Sequence, residues 1–350
     1  RDLRMSRGLG DVYKRQTQGT FHLKKAENIS YLYFPIAGEA GLKSSFTPNL
    51  GGDAKIDQNT FLLEPVSAEN LVNNRNSRNF WCNVKGIGSW SLTGHSAEEL
   101  SKKFTEMQDD SEVTAGFMWQ KTTRESKKYQ LRGEILSFIP VDKNVEIMLV
   151  TITNTGRMAQ TVTPTAAIPL YGRSADNIRD HRHVTSLLHR IETTDTGVLV
   201  TPTLSFDERG HQVNHMTYYC VGWSGNGEKP VDFYPTAEDF VGEGGNFERP
   251  YAIVKNAEGV KAGTKIEGLE AVGGLHFSEI TLEPEEECSY LIFTGITEDI
   301  QEIRNLSKTY TTREKVLEEL EKTKAYWQEK VNVAYHTGDS DFNQFMHWVS

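Results

Sequence analysis

The residues best suited to chemistry lie in the segment 171–190, YGRSADNIRDHRHVTSLLHR. It gathers Arg173, Arg179, Arg182 and Arg190 with His181, His183 and His189, in a chain that is otherwise acidic. Guanidinium groups make forked contacts to phosphate, and they donate readily to sugar hydroxyls. Arg179, Arg182 and His183 are the candidates for such contacts, with Arg173 and His181 beside them and Asp180 orienting a neighbour. The plainer reading is a loop whose arginines pair with Asp176, Asp180 and Glu192. His181-Arg182-His183 also has the look of two metal ligands. However, cations at 179, 182 and 190 would repel a divalent ion, and no cysteine or carboxylate array completes a set. No metal is expected.

A second candidate lies upstream. Arg75-Asn76-Ser77-Arg78-Asn79-Phe80-Trp81 packs two guanidiniums, amide and hydroxyl groups and two aromatics into seven residues. Arg75 and Arg78 could hold sugar hydroxyls while a Trp face stacks on a pyranose ring. The alternative is a polar loop over an aromatic anchor. Other motifs carry less. Gly242-Glu243-Gly244-Gly245 lacks the Lys-Ser/Thr and the strand–helix context of a nucleotide loop. No Gly-x-Ser-x-Gly elbow occurs. Glu238-Asp239 and Glu285 to Glu287 read as solvated turns, whereas a glycosidic general acid needs a shielded site to raise its pKa.

The elements that must position these residues are mostly strands. Candidates are Tyr129–Ile139, Val145–Thr153, Thr161–Leu170, Gly197–Phe206, Met216–Trp223, Tyr251–Lys255, Leu275–Leu282 and Ser289–Gly295, with turn residues between them. Gln58–Pro65 reads as a buried strand stopped by proline. The apolar run Val145–Thr153 predicts a strand covered on both faces. Many short strands separated by turns mean a mainly β, antiparallel sandwich. One early helix is expected after the capping box Ser96-Ala97-Glu98-Glu99. The pattern changes beyond Gly295. Glu298–Leu306 and Thr312–Val333 are helical, with Val316, Leu320, Trp327 and Val331 on one stripe read as core contact. The segment 171–190 is thus a long connection between two strands, and long connections in compact domains are usually functional or disordered. Ile178, Val184, Leu187 and Leu188 give it something to anchor.

Composition narrows the partners. The chain has 350 residues, with 38 Lys and Arg against 48 Asp and Glu, a net charge of −10. Such acidity disfavours nucleic acid and anionic membrane. No apolar run approaches the roughly eighteen residues of a membrane helix. Cys82, Cys220 and Cys288 are far apart, odd in number and without a CxxC pair. They fit reduced core thiols and a cytoplasmic location.

The wording of three stretches is more specific than their composition. YFPIAGEAGLKSSFTP (33–48), GDAKIDQNTFLLEPVS (52–67) and SRNFW (77–81) resemble the N-terminal region of the inverting glycoside phosphorylases of glycoside hydrolase family 94, once glycosyltransferase family 36. The resemblance is strongest to the family's 1,2-β-oligoglucan phosphorylases. It continues in Phe240 to Asn246 with Arg249-Pro250, and in Leu275 to Gly295, and covers about Gly19 to Ser350. It implies a large β-sandwich (supersandwich) over 17–296, a helical linker over 297–336, and the start of an (α/α)6-barrel catalytic domain at 337–350. It further implies phosphorolysis of a β-linked gluco-oligosaccharide to α-glucose 1-phosphate, with inorganic phosphate as co-substrate, no other cofactor, and a homodimer. The family's general acid lies in the barrel. The fragment by itself is therefore expected to hold no catalytic residue and to be inactive. A non-catalytic carbohydrate-binding or scaffold domain, and part of a cyclic β-1,2-glucan synthase, are the alternatives.

Both ends read as cuts. Asp341 to Ser350 carries apolar residues at 342, 345, 346 and 349, one helix face with no stop signal after it. Residues 1–16 show no signal-peptide pattern. Asp11 to Gln16 can be encoded by GATGTGTATAAGAGACAG, the transposon end used to tag sequencing libraries. The leader is read as translated adapter, the alternative being a native basic arm.

Overall fold

A computed structural model describes residues 13–16, 20–29, 32–67, 75–178, 182–207, 210–331 and 333–349. The mainly β, antiparallel expectation holds. One sheet has eleven strands in the order Tyr13–Gln16, Thr20–Lys24, Asp110–Gly116, Trp119–Ser126, Leu131–Phe138, Val145–Asn154, Glu287–Thr297, Thr217–Ser224, Gly197–Val200, Arg190–Thr193 and Lys265–Glu267. Asp232–Thr236, Ala271–His276, Gln160–Leu170, Asn79–Val84 and Gly88–Ser91 form the facing sheet, and Ile280–Leu282 pairs with the start of Gln160–Leu170. A smaller sheet joins Phe34–Ala37, Lys43–Phe46, Ala54–Asp57 and Thr60–Leu63.

The core between the sheets takes Met148, Val150 and Ile152 from one side and Cys82, Val162 and Ile168 from the other. Alternate residues of the same strand, Val145, Ile147 and Leu149, point the opposite way. They meet Ile303, Leu306, Val316 and Leu320 of the helices Ile300–Thr309 and Arg313–Lys330. All ten residues of Val145–Asn154 are therefore buried, the two-sided cover that its unbroken apolarity predicts. Trp223 stacks on Phe293 at 4.7 Å, Phe293 stacks on Tyr310 at 5.5 Å, and the Trp223 indole N–H donates to the Tyr310 carbonyl. This column fixes the junction of sheet and helices.

Several elements differ from the sequence reading. Tyr251–Lys255 is a helix, not a strand. Five residues are too few to separate the periods. Ala252 and Ile253 are buried while Tyr251 and Val254 are exposed, and Val254 N–H donates to the Pro250 carbonyl. Glu238 and Asp239 lie not in a turn but in the first turn of the helix Ala237–Val241, where the Thr236 hydroxyl accepts from Asp239 N–H. Carboxylates there oppose the positive end of the helix. Gly197–Phe206 divides around Pro202, and Leu204–Asp207 leaves the sheet to pair with Gly210–Val213. The stretch Leu275–Leu282 divides too, both halves pairing with Gln160–Leu170. The early helix, Ala97–Ser101, keeps half of its capping box. Ser96 Oγ accepts from Glu99 N–H, but the Glu99 carboxylate accepts from Asp109 N–H at 2.7 Å. Residues 13–16, set aside in the sequence reading, pair with Thr20–Lys24 at the sheet edge. Backbone pairing of that kind asks little of side chains.

Candidate functional site

Both candidate segments reach one end of the sandwich, where Gln160–Leu170 finishes and Ala271–His276 begins. Tyr171 N–H donates to the Leu62 carbonyl and Phe61 N–H to the Arg173 carbonyl, so the chain leaving the central strand is stitched to Thr60–Leu63. Gly172 sits between them at φ +61, a left-handed conformation that glycine takes without steric cost. This turn directs Arg173 inward.

Arg173 is 4 % exposed. Its Nε donates to His189 Nε2 at 3.3 Å, Nη1 to Thr185 Oγ1 at 3.2 Å and Nη2 to Glu270 Oε2 at 2.7 Å. The guanidinium also lies 4.8 Å over the Tyr171 ring. Because His189 Nε2 accepts from an arginine, the ring proton is on Nδ1, which donates to the Leu269 carbonyl at 3.2 Å. Burial first, and then the Arg173 charge, lower the His189 pKa to about 4. The ring is neutral at pH 7. Four chain segments thus converge on one arginine.

Beside this cluster is a small cavity of about 10 Å³, enough for one water, lined by Glu64, Arg75, Tyr171, Phe247 and Glu270 among others. Glu64 is 2 % exposed, and the Arg75 guanidinium lies 5.8 Å from the Phe247 ring centre. Two guanidiniums and two carboxylates therefore share this rim. The Arg173 half is committed to internal bonds. Arg75 is half-buried at the edge.

Of the sequence candidates, Arg75 and Arg173 are brought together here. Arg179, Asp180 and His181 lie outside the described residues, as do the side chains of Arg182 and His183, whose backbone opens the short helix Arg182–Thr185. Arg190 is separate, 3.5 Å from Glu267. Arg78 is placed otherwise than the sequence suggests. It is fully buried, gripping Glu146 with Nε at 2.5 Å and Nη2 at 3.0 Å, donating to the Gly52 and Asp53 carbonyls, and lying 4.1 Å over Phe46. No part of it is offered to a ligand. Its neighbours in sequence are equally internal: Trp81 is 2 % exposed, and Ser77 Oγ lies 2.7 Å from His95 Nδ1. Glu64, Glu270, Thr185 and the role of His189 were missed. Glu270 lies 97 residues from Arg173 and meets it only through strand register.

Among the described residues no group of three or more His, Cys, Asp or Glu could hold a metal ion. Cys82 and Cys220 are buried and Cys288 is half-buried. Burial raises all three thiols, the last two to about 12.

The profile of "Glycosyl hydrolase 94, supersandwich domain" matches residues 63–313. The chain belongs to this family. No curated protein matches it. Solved structures align with it at low identity. A putative kojibiose phosphorylase from the human microbiome is 8 % identical, with a TM-score of 0.47 over 96 % of this chain and 41 % of its own. A bacterial glucoamylase complexed with acarbose is 10 % identical, with a TM-score of 0.45 over 91 % of this chain and 38 % of its own. A putative aldose 1-epimerase from Escherichia coli K12 is 10 % identical, with a TM-score of 0.41 over 76 % of this chain and 99 % of its own. The chain thus spans well under half the length of the first two. Among the described residues no helix is long and apolar enough to cross a membrane. Family membership makes the supersandwich a carbohydrate-active enzyme domain.

Proposed function

We propose that this chain is the supersandwich portion of an inverting phosphorylase of β-linked gluco-oligosaccharides, the 1,2-β-linked ones first among them. The family match over 63–313 carries the reading, and the wording of 33–48, 52–67 and 77–81 supports the linkage. In phosphorolysis an oxygen of inorganic phosphate bonds to the anomeric carbon as the glycosidic C–O bond breaks. One general acid delivers a proton to the departing sugar oxygen. An inverting hydrolase also needs a base to activate water. Phosphate is already anionic and needs none. Attack opposite the leaving group turns a β linkage into α-glucose 1-phosphate.

The acid is assigned to a barrel domain of the complete protein, and no residue of this chain takes that role. The sandwich supplies positioning. Arg173, His189, Thr185 and Glu270 pin the connection 174–190 to the end of the sandwich. Arg75, Arg179 and Arg182 are the contacts offered to sugar hydroxyls or phosphate, with His181 and His183 beside them and Asp180 orienting a neighbour. In the complete enzyme, Arg179→Ala and Arg182→Ala should each cost about 1.5–3 kcal/mol, roughly ten- to a hundredfold in kcat/KM. Wild-type kinetics in both, with unchanged melting temperature, would remove this rim from the substrate site.

A further inference from the structure

The two ends of the sandwich offer different surfaces. At the end where Ile280 pairs with Val162, a cavity of about 310 Å³ lies beside Phe277 and Tyr290, but these rings are 2 % and 3 % exposed and present no face. At the Arg75 end, the ring of Phe247 is half-buried and lines the rim. The chain around Phe247 is built to hold that ring in place.

Phe247 follows the helix Ala237–Val241. Ala237 N–H donates to the Glu270 carbonyl at 2.8 Å, which ties the helix to the residue whose carboxylate grips Arg173. Phe240 is 1 % exposed, and its ring centre is 6.0 Å from those of both Tyr234 and Phe247. The chain then turns back through Gly242-Glu243-Gly244-Gly245. Gly242 has φ +72, and a Cβ at Gly245 would stand 1.8 Å from the Val241 carbonyl oxygen, so the turn demands glycine. Beyond the ring, Asn246 Oδ1 accepts from Arg249 N–H at 2.8 Å, and the Glu248 carbonyl accepts from Ala97 N–H at 2.7 Å. The backbone is therefore fixed on both sides of Phe247. The Arg75 guanidinium lies over this ring, 5.8 Å from its centre, and Glu64 and Glu270 line the same small cavity.

We infer that Phe247 is a positioning residue for substrate binding, which sets the plane of the Arg75 guanidinium toward a sugar. Its role rests on the proposed place of Arg75 in the sugar site. A long arginine beside two carboxylates has many rotamers open to it, and a ring held against its face selects among them. Packing by its face costs a guanidinium none of its in-plane N–H donors. The aromatic contact thereby orders those donors before a sugar arrives and lowers the entropic cost of binding. It adds nothing to bond breaking, so its effect belongs in KM and not in kcat.

The test is steady-state kinetics of the complete enzyme on a 1,2-β-linked gluco-oligosaccharide, with calorimetry of the same sugar in phosphate-free buffer. Phe247→Ala should raise KM and Kd about three- to tenfold and leave kcat unchanged. Phe247→Tyr keeps the ring and should behave as wild type. Phe247→Leu keeps apolar packing on Phe240 without the ring. It should bind as weakly as Phe247→Ala while its melting temperature stays near that of wild type. Because the ring acts through Arg75, adding Phe247→Ala to Arg75→Ala should change Kd by less than about twofold. Wild-type affinity in both Phe247→Ala and Phe247→Leu overturns the assignment, as does a Phe247→Ala effect that persists in full without Arg75. Sugar binding without phosphorolysis would refute the proposed reaction alone, with the Kd values of the variants still deciding the role of Phe247. No saturable sugar binding by wild type overturns both.

Discussion

Arg173 spends its guanidinium on His189, Thr185 and Glu270, which makes it a fixed part of the sandwich end. Arg173→Ala would leave Glu270 without its cation and should cost about 3 kcal/mol. Chemical denaturation measures it; a loss below about 0.5 kcal/mol would contradict the anchoring role. His189 gives the cluster a pH signature. Its folded pKa is about 4 against an ordinary 6.5. Between these values the unfolded chain binds a proton that the folded chain refuses, so stability falls as pH drops through this window and is complete above it. From pH 7 to pH 5 this one ring should cost about 2 kcal/mol. His95, lowered to about 3 mainly by burial, adds to the same trend. His189→Gln should flatten the fall in melting temperature between pH 7 and pH 5; an unchanged slope would mean the ring is not buried neutral. Arg78→Ala should cost about 3–5 kcal/mol by stranding Glu146, while Arg78→Met with Glu146→Leu should recover much of the loss. At this scale the sequence shows which residue types are unusual, but not where they point. Arg75 and Arg78 are three residues apart, yet one reaches the rim and the other is sealed inside. Their partners Phe247 and Glu146 are set by register between distant strands.

Elements with strong periodicity were legible. Val145–Asn154 and Arg313–Lys330 were visible because one is apolar without interruption and the other carries Val316 and Leu320 on one stripe. Tyr251–Lys255 was not, because a five-residue run rich in β-branched side chains reads as strand until Pro250 and Asn256 are seen to cap it. The interior strands Asp110–Gly116 and Trp119–Ser126 were missed for another reason. Gln120, Thr122, Arg124 and Ser126 face inward in Trp119–Ser126, burying a polar row that mimics a solvent face. The long helix contributes to the second core by burying Val316 and Leu320 against the sheet. Leu320→Ala should cost about 2–5 kcal/mol and raise hydrogen exchange across 313–330 before the sheets open. Equal exchange rates in both proteins would mean that the helix does not depend on this contact.

At the scale of the whole molecule, the sandwich has two chemically different ends. One carries Arg75, Arg173, His189 and Glu270; the other carries the cavity beside Phe277 and Tyr290. The long strand Gln160–Leu170 runs between them, and the helices Ile300–Thr309 and Arg313–Lys330 cover the outer face of the larger sheet. Under the proposed function the bond-breaking acid belongs to another part of the protein and the sandwich serves to hold sugar. The most direct test is proton NMR of the complete enzyme acting on a 1,2-β-linked gluco-oligosaccharide, with and without inorganic phosphate. α-Glucose 1-phosphate is expected as the first product, with no cleavage in the absence of phosphate. Release of free glucose at the same rate in both samples, or of the β-phosphate anomer, would contradict the proposal.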